Sequence, residues 1–399
     1  MLKKLEYIDL LRGIAILLVV SVHASSYIWY DNNQHRTEFF DLLFASLFWA
    51  GQYGVILFFL VSSITLSISM ENRKESNYNF YIRRFFRIAP LYYFGIILYF
   101  IFRIAVESHR SEEFILVPNG YTIEKILQNI FFIHGFFPNS YNFVVSGGWS
   151  ISTEMYFYTI FPILFFFQKK FSLKKFLMIS LIICFFAFLI QYFGTAIFGD
   201  SFVWRADGRN FNFGYSTIIN QISVFLIGII CFKLIKNKFI INNAFLFFGF
   251  IFLILSIYYI NFPRLHILGL SFSKFLHIDT GFLHIDTGYN GYFFPIFFAL
   301  GVAPIIIKIS NVTHFRNFFL KKIILIGKYS YCTYILHFIV LEILSSILRK
   351  TLFKFFEVTH LRFLILFFIF VIICFFLSKI LNFLIEKPGI NLGKKFIKS

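Results

Sequence analysis

Two ionisable residues interrupt the first apolar run of the chain, LLRGIAILLVVSVHASS. Arg12 lies near its beginning and His23 near its end, and both side chains are costly to place in hydrocarbon. Eleven residues correspond to about three helical turns, so both side chains project from nearly the same helix face, about 16 Å apart along the axis. This spacing favours a shared polar cavity over a snorkelling arginine and a separate packing histidine.

A second polar set lies in the segment GGWSISTEMYFYTIFP, which contains Trp149, Ser150, Glu154 and Tyr158. The last three follow the spacing i, i+4, i+8 and therefore form one stripe on a helix. A carboxylate inside a membrane span needs a partner. Because Glu154 and His23 are predicted at similar depths, we expect a His–Glu pair, which would orient the imidazole and raise its basicity.

Paired arginines stand in the segment YIRRFFRIAPLYYF, at the predicted start of the third span. Arg84 and Arg87 are i, i+3 neighbours and face the same way, and Pro90 suits the first turn of a helix. Guanidinium groups bind phosphate through two hydrogen bonds, so the pair suits a phosphate-bearing ligand. Spacing alone favours an ordinary basic cluster at the end of a span.

A third polar stripe lies in GKYSYCTYILHFIV. Ser330, Tyr334 and His337 follow the spacing i, i+4, i+7 on an otherwise apolar helix. Hydrogen bonding between helices and a direct role in a site both remain open for these residues.

The elements that position these residues are predicted from the apolar runs. The 399 residues are 59% hydrophobic and only 14% charged, and they include 64 Phe, whereas a soluble domain would be about 25% charged. Repeated apolar runs of about 18 or more residues predict an all-α, polytopic membrane bundle of about ten transmembrane helices. The expected spans are 8–28, 52–70, 88–106, 149–168, 175–193, 216–235, 240–260, 291–309, 325–347 and 362–385.

The net charge of +18 comes from short basic clusters between the apolar runs. This distribution is typical of topology signals and lipid-headgroup contacts, and it argues against nucleic acid as a partner. With both termini in the cytoplasm, the inner connections carry about twice as many Lys and Arg residues as the outer ones. We therefore predict cytoplasmic termini and a single transmembrane domain over residues 1–399.

Two apolar segments allow more than one interpretation. The first run resembles a cleavable signal peptide at Val22-His23-Ala24, but acidic residues and Arg12 break the usual order of such peptides, so we expect an uncleaved span. The segment TIEKILQNIFFIHGFF at 122–137 is too short for a span and is expected to form an interfacial or re-entrant helix.

The heptapeptide FLHIDTG occurs twice in tandem, at 275–281 and 282–288. Its histidines and aspartates are His277, Asp279, His284 and Asp286. They offer a metal or sugar site on an outer loop, but we favour a duplication that a loop tolerates, and we assign no metal site.

Five segments together resemble the acyltransferase-3 family of bacterial membrane O-acyltransferases, which modify surface carbohydrates. They are RGIAILLVVSVH (12–23), RRFFRIAPLYY (83–93), WSISTEMYFYTIFP (149–162), GKYSYCTYILH (327–337) and IEKP (385–388). They follow the family order over almost the whole chain. One departure is Ser223, which stands where many relatives have proline in QISVFLIG. The chain also lacks the C-terminal hydrolase-like domain of some relatives, so the resemblance implies a stand-alone transferase.

The resemblance implies a multi-pass protein of the bacterial inner membrane with no permanently bound cofactor. The co-substrate would be acetyl-CoA or another acyl-CoA, supplied from the cytoplasm, and the acceptor would be a hydroxyl of a lipid-linked or exported glycan. The family arginine and histidine fall on Arg12 and His23, and its R-x-x-R pair falls on Arg84 and Arg87.

The mechanism that follows has two parts. Arg84 and Arg87, with Arg12 as a third candidate, hold the phosphates of coenzyme A. His23 acts as general base on the acceptor hydroxyl with Glu154 orienting it, or alternatively carries the acyl group itself. The alternative function is a transporter or flippase for a glycan or a proton-coupled solute, a class that also keeps charged residues in its spans.

Overall fold

The computed structural model describes residues 5–29, 50–73, 76–198, 213–267, 290–312, 314–355 and 359–397. These residues form helices and connecting loops without a β-strand, which confirms the all-α class. The described α-helices of eight or more residues are α1 (Glu6–Trp29), α2 (Tyr53–Arg73), α3 (Asn77–Ser111), α4 (Ile123–Ile130), α5 (Gly148–Lys170), α6 (Leu173–Phe198), α7 (Ile218–Lys236), α8 (Asn243–Ile267), α9 (Asn290–Ile309), α10 (Phe318–Gly327), α11 (Ser330–Lys350), α12 (Thr359–Leu381) and α13 (Lys387–Lys395).

Eight helical segments of the described chain are long and apolar enough to cross a membrane. Two shorter apolar segments, Asn243–Ile257 and Phe293–Ile309, lie within α8 and α9. The 21 residues of α2 measure about 31 Å along the axis, close to the thickness of a hydrocarbon core. The prediction of a polytopic helical membrane protein is therefore confirmed.

The third predicted span, 88–106, covers only the middle of the 35-residue helix α3, which extends beyond it at both ends. Ser76 caps this helix by accepting a hydrogen bond from the backbone N–H of Asn79, so helical structure begins well before the apolar run. Arg84 and Arg87 consequently lie within a continuous helix and not in the connection that precedes it.

The predicted span 325–347 is also corrected, because it is not one continuous helix: α10 ends at Gly327 and α11 begins at Ser330. At Gly327 an added Cβ would lie 1.8 Å from the backbone oxygen of Asp9, so α10 ends where it meets the backbone of α1. Ser330 therefore stands at the first position of a new helix.

Helix α1 packs against four other helices, α2, α10, α11 and α12. Its buried core residues include Ala15, Ile16 and Val19. Removing this helix would open the core, so α1 is an integral part of the bundle.

The segment 122–137 forms no span. Helix α4 has eight residues, about 12 Å, and a short 3₁₀ turn at His134–Phe136 follows it. Thr122 caps α4 by accepting a hydrogen bond from the backbone N–H of Lys125. The heptapeptide repeat lies outside the described residues.

The segment QISVFLIG lies in α7 and makes packing contacts. Gln221 donates to the backbone oxygen of Tyr215, and the ring of Phe225 stacks on Phe157 with centroids 3.9 Å apart. The helix continues without a break through Ser223.

Candidate active site

Eight of the predicted site residues line one cavity of about 700 Å³, mouth included, which we call the arginine cavity. They come from four helices and are Arg12, Arg84, Arg87, Ser150, Glu154, Tyr158, Ser330 and Tyr334. The polar stripe of α5, the first two residues of the α11 stripe and the arginine pair of α3 thus face the same space.

The cationic part of this cavity is formed by α1 and α3. Arg84 is buried, and its Nη2 donates to Ser69 Oγ at 3.2 Å. The Arg12 guanidinium lies 4.0 Å from the carboxylate of Asp9, while Arg87 is partly buried one turn beyond Arg84. Three guanidinium groups around one cavity suit an anionic ligand, phosphate above all.

Glu154 does not pair with His23, contrary to the sequence-based expectation. Its Oε1 accepts hydrogen bonds from Ser62 Oγ at 2.5 Å and from the Tyr158 hydroxyl at 2.6 Å. The stripe on α5 turns the carboxylate toward the arginine cavity, because α2 and Tyr158 supply its hydrogen-bond donors there. Glu154 therefore belongs to the arginine cavity and His23 does not.

His23 lines a second cavity of about 440 Å³, mouth included, which we call the histidine cavity, together with Trp149 and Asn142. The expectation of one cavity shared by Arg12 and His23 is thereby corrected to two adjoining cavities. Val55 and Tyr334 line both of them and form the wall between. The axial separation of about 16 Å leaves room for these side chains between the two ionisable groups.

The partner of His23 is a second histidine. The rings of His23 and His337 have centroids 5.2 Å apart, and both pack against Phe338. His337 is fully buried, and its Nδ1 donates to the backbone oxygen of Tyr334. That bond leaves the lone pair on Nε2, which has no hydrogen-bond partner within the described part of the chain.

The loop before α5 is held in place by Tyr334. Ser150 Oγ donates to the Tyr334 hydroxyl at 2.6 Å, and that hydroxyl donates to the Gly147 oxygen at 3.0 Å. Asn142 accepts a hydrogen bond from the Gly147 N–H at 2.6 Å. This network fixes the start of the helix that carries Trp149, Ser150 and Glu154.

Gly147 adopts φ = 81°, a region that residues with a Cβ rarely occupy, and an added Cβ would lie 3.1 Å from the Tyr334 hydroxyl. We expect Gly147→Ala to destabilise the fold by about 1–3 kcal/mol. Thermal unfolding in detergent measures this loss. Gly120→Ala, at φ = 75° in the loop before α4, is the control for backbone strain outside the site, and only Gly147→Ala should also lower activity. Equal activities of the two variants would contradict this role of Gly147.

A second buried network supports the same end of α5. His134 Nε2 lies 3.0 Å from the Gly148 oxygen and 3.2 Å from the Tyr92 hydroxyl, which donates to Asn129 Oδ1 at 2.8 Å. Burial penalises the charged imidazolium and lowers the pKa of His134 to about 4. The neutral ring of His134, which lies in the turn between α4 and α5, therefore ties α3, α4 and α5 together.

Because of His134, we expect the free energy of unfolding to depend on pH. The unfolded chain protonates His134 near pH 6.5 and the folded chain only near pH 4, so stability should decrease as the pH falls through that interval. The pKa difference corresponds to a contribution on the order of 3 kcal/mol. We expect the wild type to unfold at a higher temperature than His134→Gln at pH 7, and this difference in Tm to become smaller as the pH is lowered to 4.5. A gap that stays constant with pH would show that His134 does not titrate in this way.

The family model described as "Acyltransferase domain", Acyl_transf_3, matches residues 5–379. The chain belongs to the acyltransferase-3 family. No curated protein and no solved structure shows significant similarity to this acyltransferase-3 chain. The matched region contains every residue of the two cavities. The protein is therefore a membrane acyltransferase, which favours the enzyme over the transporter as the interpretation of its buried charges.

Sequence reasoning missed the contribution of α2 to the acyltransferase-3 site. Ser62 bonds to Glu154, Thr65 lines the arginine cavity, and Ser69 accepts from Arg84. These hydroxyls follow the spacing i, i+3, i+7 and so share one helix face. That stripe was a signal in the sequence, although hydroxyl groups are common enough in membrane helices that it carries little weight without the structure.

Proposed function

We propose that this acyltransferase transfers an acyl group, acetyl as the first choice, from acyl-CoA to a hydroxyl of a glycan on the opposite side of the membrane. One observation carries the proposal: a cavity lined by three arginines adjoins a cavity lined by His23, whose ring packs against that of His337, and Tyr334 lines both cavities. The first suits a phosphorylated donor and the second suits proton transfer at an acceptor hydroxyl.

The donor is proposed to bind with its phosphates at Arg84 and Arg87, with Arg12 as a third cation. Its uncharged pantetheine arm follows the polar wall formed by Glu154 and Tyr158. The thioester then reaches Tyr334, at the boundary between the arginine cavity and the histidine cavity. The basic connections of the chain favour a cytoplasmic position for the arginine end, from which acyl-CoA is available in a bacterial inner membrane.

The transfer step needs one base. His23 removes the proton of the acceptor hydroxyl while its oxygen attacks the thioester carbonyl carbon. The carbon–sulfur bond then breaks, and the coenzyme A thiolate leaves and receives the proton from His23. The products are the glycan ester and free coenzyme A. His337, whose Nε2 has no partner among the described residues and whose ring lies 5.2 Å from that of His23, accepts an N–H from His23 and orients it in this proposal.

Mass spectrometry of the surface polysaccharide tests this function. Deletion of the gene from the host strain should remove one alkali-labile acyl mass from the glycan, and the wild-type gene should restore it. The acyl mass itself identifies the transferred group. A polysaccharide with unchanged masses after deletion would contradict the proposed acceptor class.

A further inference from the structure

The C-terminal helix α13 is fixed against α3 at the arginine end of the bundle. Gly389 and Gly393 lie one turn apart, and an added Cβ would lie 2.6 Å from Pro90 and 2.5 Å from Phe86 respectively. Phe396 stacks on Phe86 with ring centroids 5.3 Å apart. The backbone of α13 thus packs tightly against α3 at both glycines.

A buried carboxylate fixes the beginning of α13. Glu386 accepts hydrogen bonds from Asn382 at 2.7 Å and from the Cys332 thiol of α11 at 3.1 Å. This residue belongs to the IEKP segment, so that motif positions the C-terminal helix. Helix α13 is held at both ends and forms a wall rather than a loose tail.

Between α13 and the ends of α2 and α3 lies a third cavity of about 560 Å³, mouth included, which we call the basic pocket. Its cationic lining residues are Arg73, Arg83, Arg84, Arg87 and Lys394. None of the described residues that line it carries a carboxylate. Such a concentration of positive charge suits a ligand with more than one phosphate group.

The basic pocket and the arginine cavity share Arg84 and Arg87. The order of groups in coenzyme A is thioester, pantetheine, diphosphate and ribose 3′-phosphate. If the pantetheine arm occupies the arginine cavity, the diphosphate lies at the shared arginines. The 3′-phosphate must then extend into the basic pocket, toward Arg73, Arg83 and Lys394.

We propose that α13 is part of the donor site and that Lys394, with Arg73 and Arg83, binds the 3′-phosphate of coenzyme A. This assignment rests on the proposed function, because it requires a coenzyme A donor. The same phosphate chemistry is offered by an anionic lipid headgroup, and the experiment distinguishes the two sources.

The test compares coenzyme A with 3′-dephospho-coenzyme A by calorimetric titration of the full-length protein in neutral detergent. The wild type should bind coenzyme A about tenfold more tightly than the dephosphorylated form. Lys394→Gln should lose most of this preference while binding dephospho-coenzyme A like the wild type. Lys395→Gln is the matched control, because Lys395 is exposed on the same helix and does not line the pocket.

The outcomes separate the two levels of the proposal. An unchanged preference in Lys394→Gln would overturn the role of α13 and leave the donor assignment intact. Failure of the wild type to bind either compound would overturn the coenzyme A donor as well. In a second arm, phosphatidylglycerol is added to the detergent; binding of this lipid that depends on Lys394, with an unchanged preference between the nucleotides, would assign the pocket to lipid.

Discussion

Replacing His23 with alanine is expected to lower acyl transfer by at least about 100-fold, because it removes the proposed general base. The side chain is partly buried in the histidine cavity and contacts His337 and Phe338 through ring packing. Initial rates of acyl transfer at saturating donor measure the effect. Donor affinity should change little, since the arginine cavity is separated from His23 by Val55 and Tyr334.

The control for this variant is His109→Ala. His109 is exposed in the last turn of α3 and lies outside both cavities. It should retain wild-type activity. Protein level and thermal unfolding must be compared for both variants, so that loss of fold is not mistaken for loss of chemistry. Activity of His23→Ala within a few-fold of the wild type, at equal protein level, would remove His23 from the catalytic role.

Replacing Arg87 with glutamine is expected to raise the dissociation constant for acyl-CoA by about 10- to 100-fold. A hydrogen bond to a charged group contributes about 1.5–3 kcal/mol, and the guanidinium is proposed to bind the donor diphosphate. Because Arg87 is only partly buried, the substitution should leave the fold intact. The rate at saturating donor should remain near the wild-type value, so the effect appears in KM and not in kcat.

Arg110→Gln is the matched control, since Arg110 is exposed near the other end of α3 and lines neither cavity. Donor binding to the wild type should also weaken as the salt concentration rises, because partly exposed charges are screened. Equal donor affinity in the wild type and Arg87→Gln would remove this arginine from the donor site.

The sequence predicts the helical bundle well, because a backbone inside hydrocarbon must satisfy its own hydrogen bonds and few structures do so. A run of about 20 apolar residues must form a helix, so the spans follow from composition. Helix ends are less predictable, because they depend on caps and contacts. Ser76 extends α3 beyond its apolar part, and the approach of α1 to Gly327 separates α10 from α11.

In the candidate site, too, features set within one helix are predictable and contacts between helices are not. Spacing along one helix correctly places Ser150, Glu154 and Tyr158 on a common wall, because helix geometry fixes that relation. Partners across helices depend on rotation and crossing angle, which the sequence does not encode locally. Similar predicted depth therefore suggests a pair of Glu154 and His23, whereas in the structure Glu154 bonds to Ser62 and His23 packs against a second histidine.

The basic pocket illustrates a third kind of information. Arg73, Arg87 and Lys394 are far apart in the sequence, where each reads as an ordinary basic residue next to a span. Only the docking of α13 on α3 brings them around one cavity. Basic residues that look like topology signals in the sequence therefore form a candidate binding site only in the folded protein.

The central claim is that this protein moves an acyl group from coenzyme A to a hydroxyl by using the two adjoining cavities. The most direct test supplies acetyl-CoA, radiolabelled in the acetyl group, to inverted membrane vesicles that contain either the wild type or His23→Ala together with the native glycan. We predict that the label enters the glycan fraction as an alkali-labile ester with the wild type and stays in coenzyme A with His23→Ala. Label that stays in coenzyme A with the wild type, or that moves equally with both proteins, would contradict the claim.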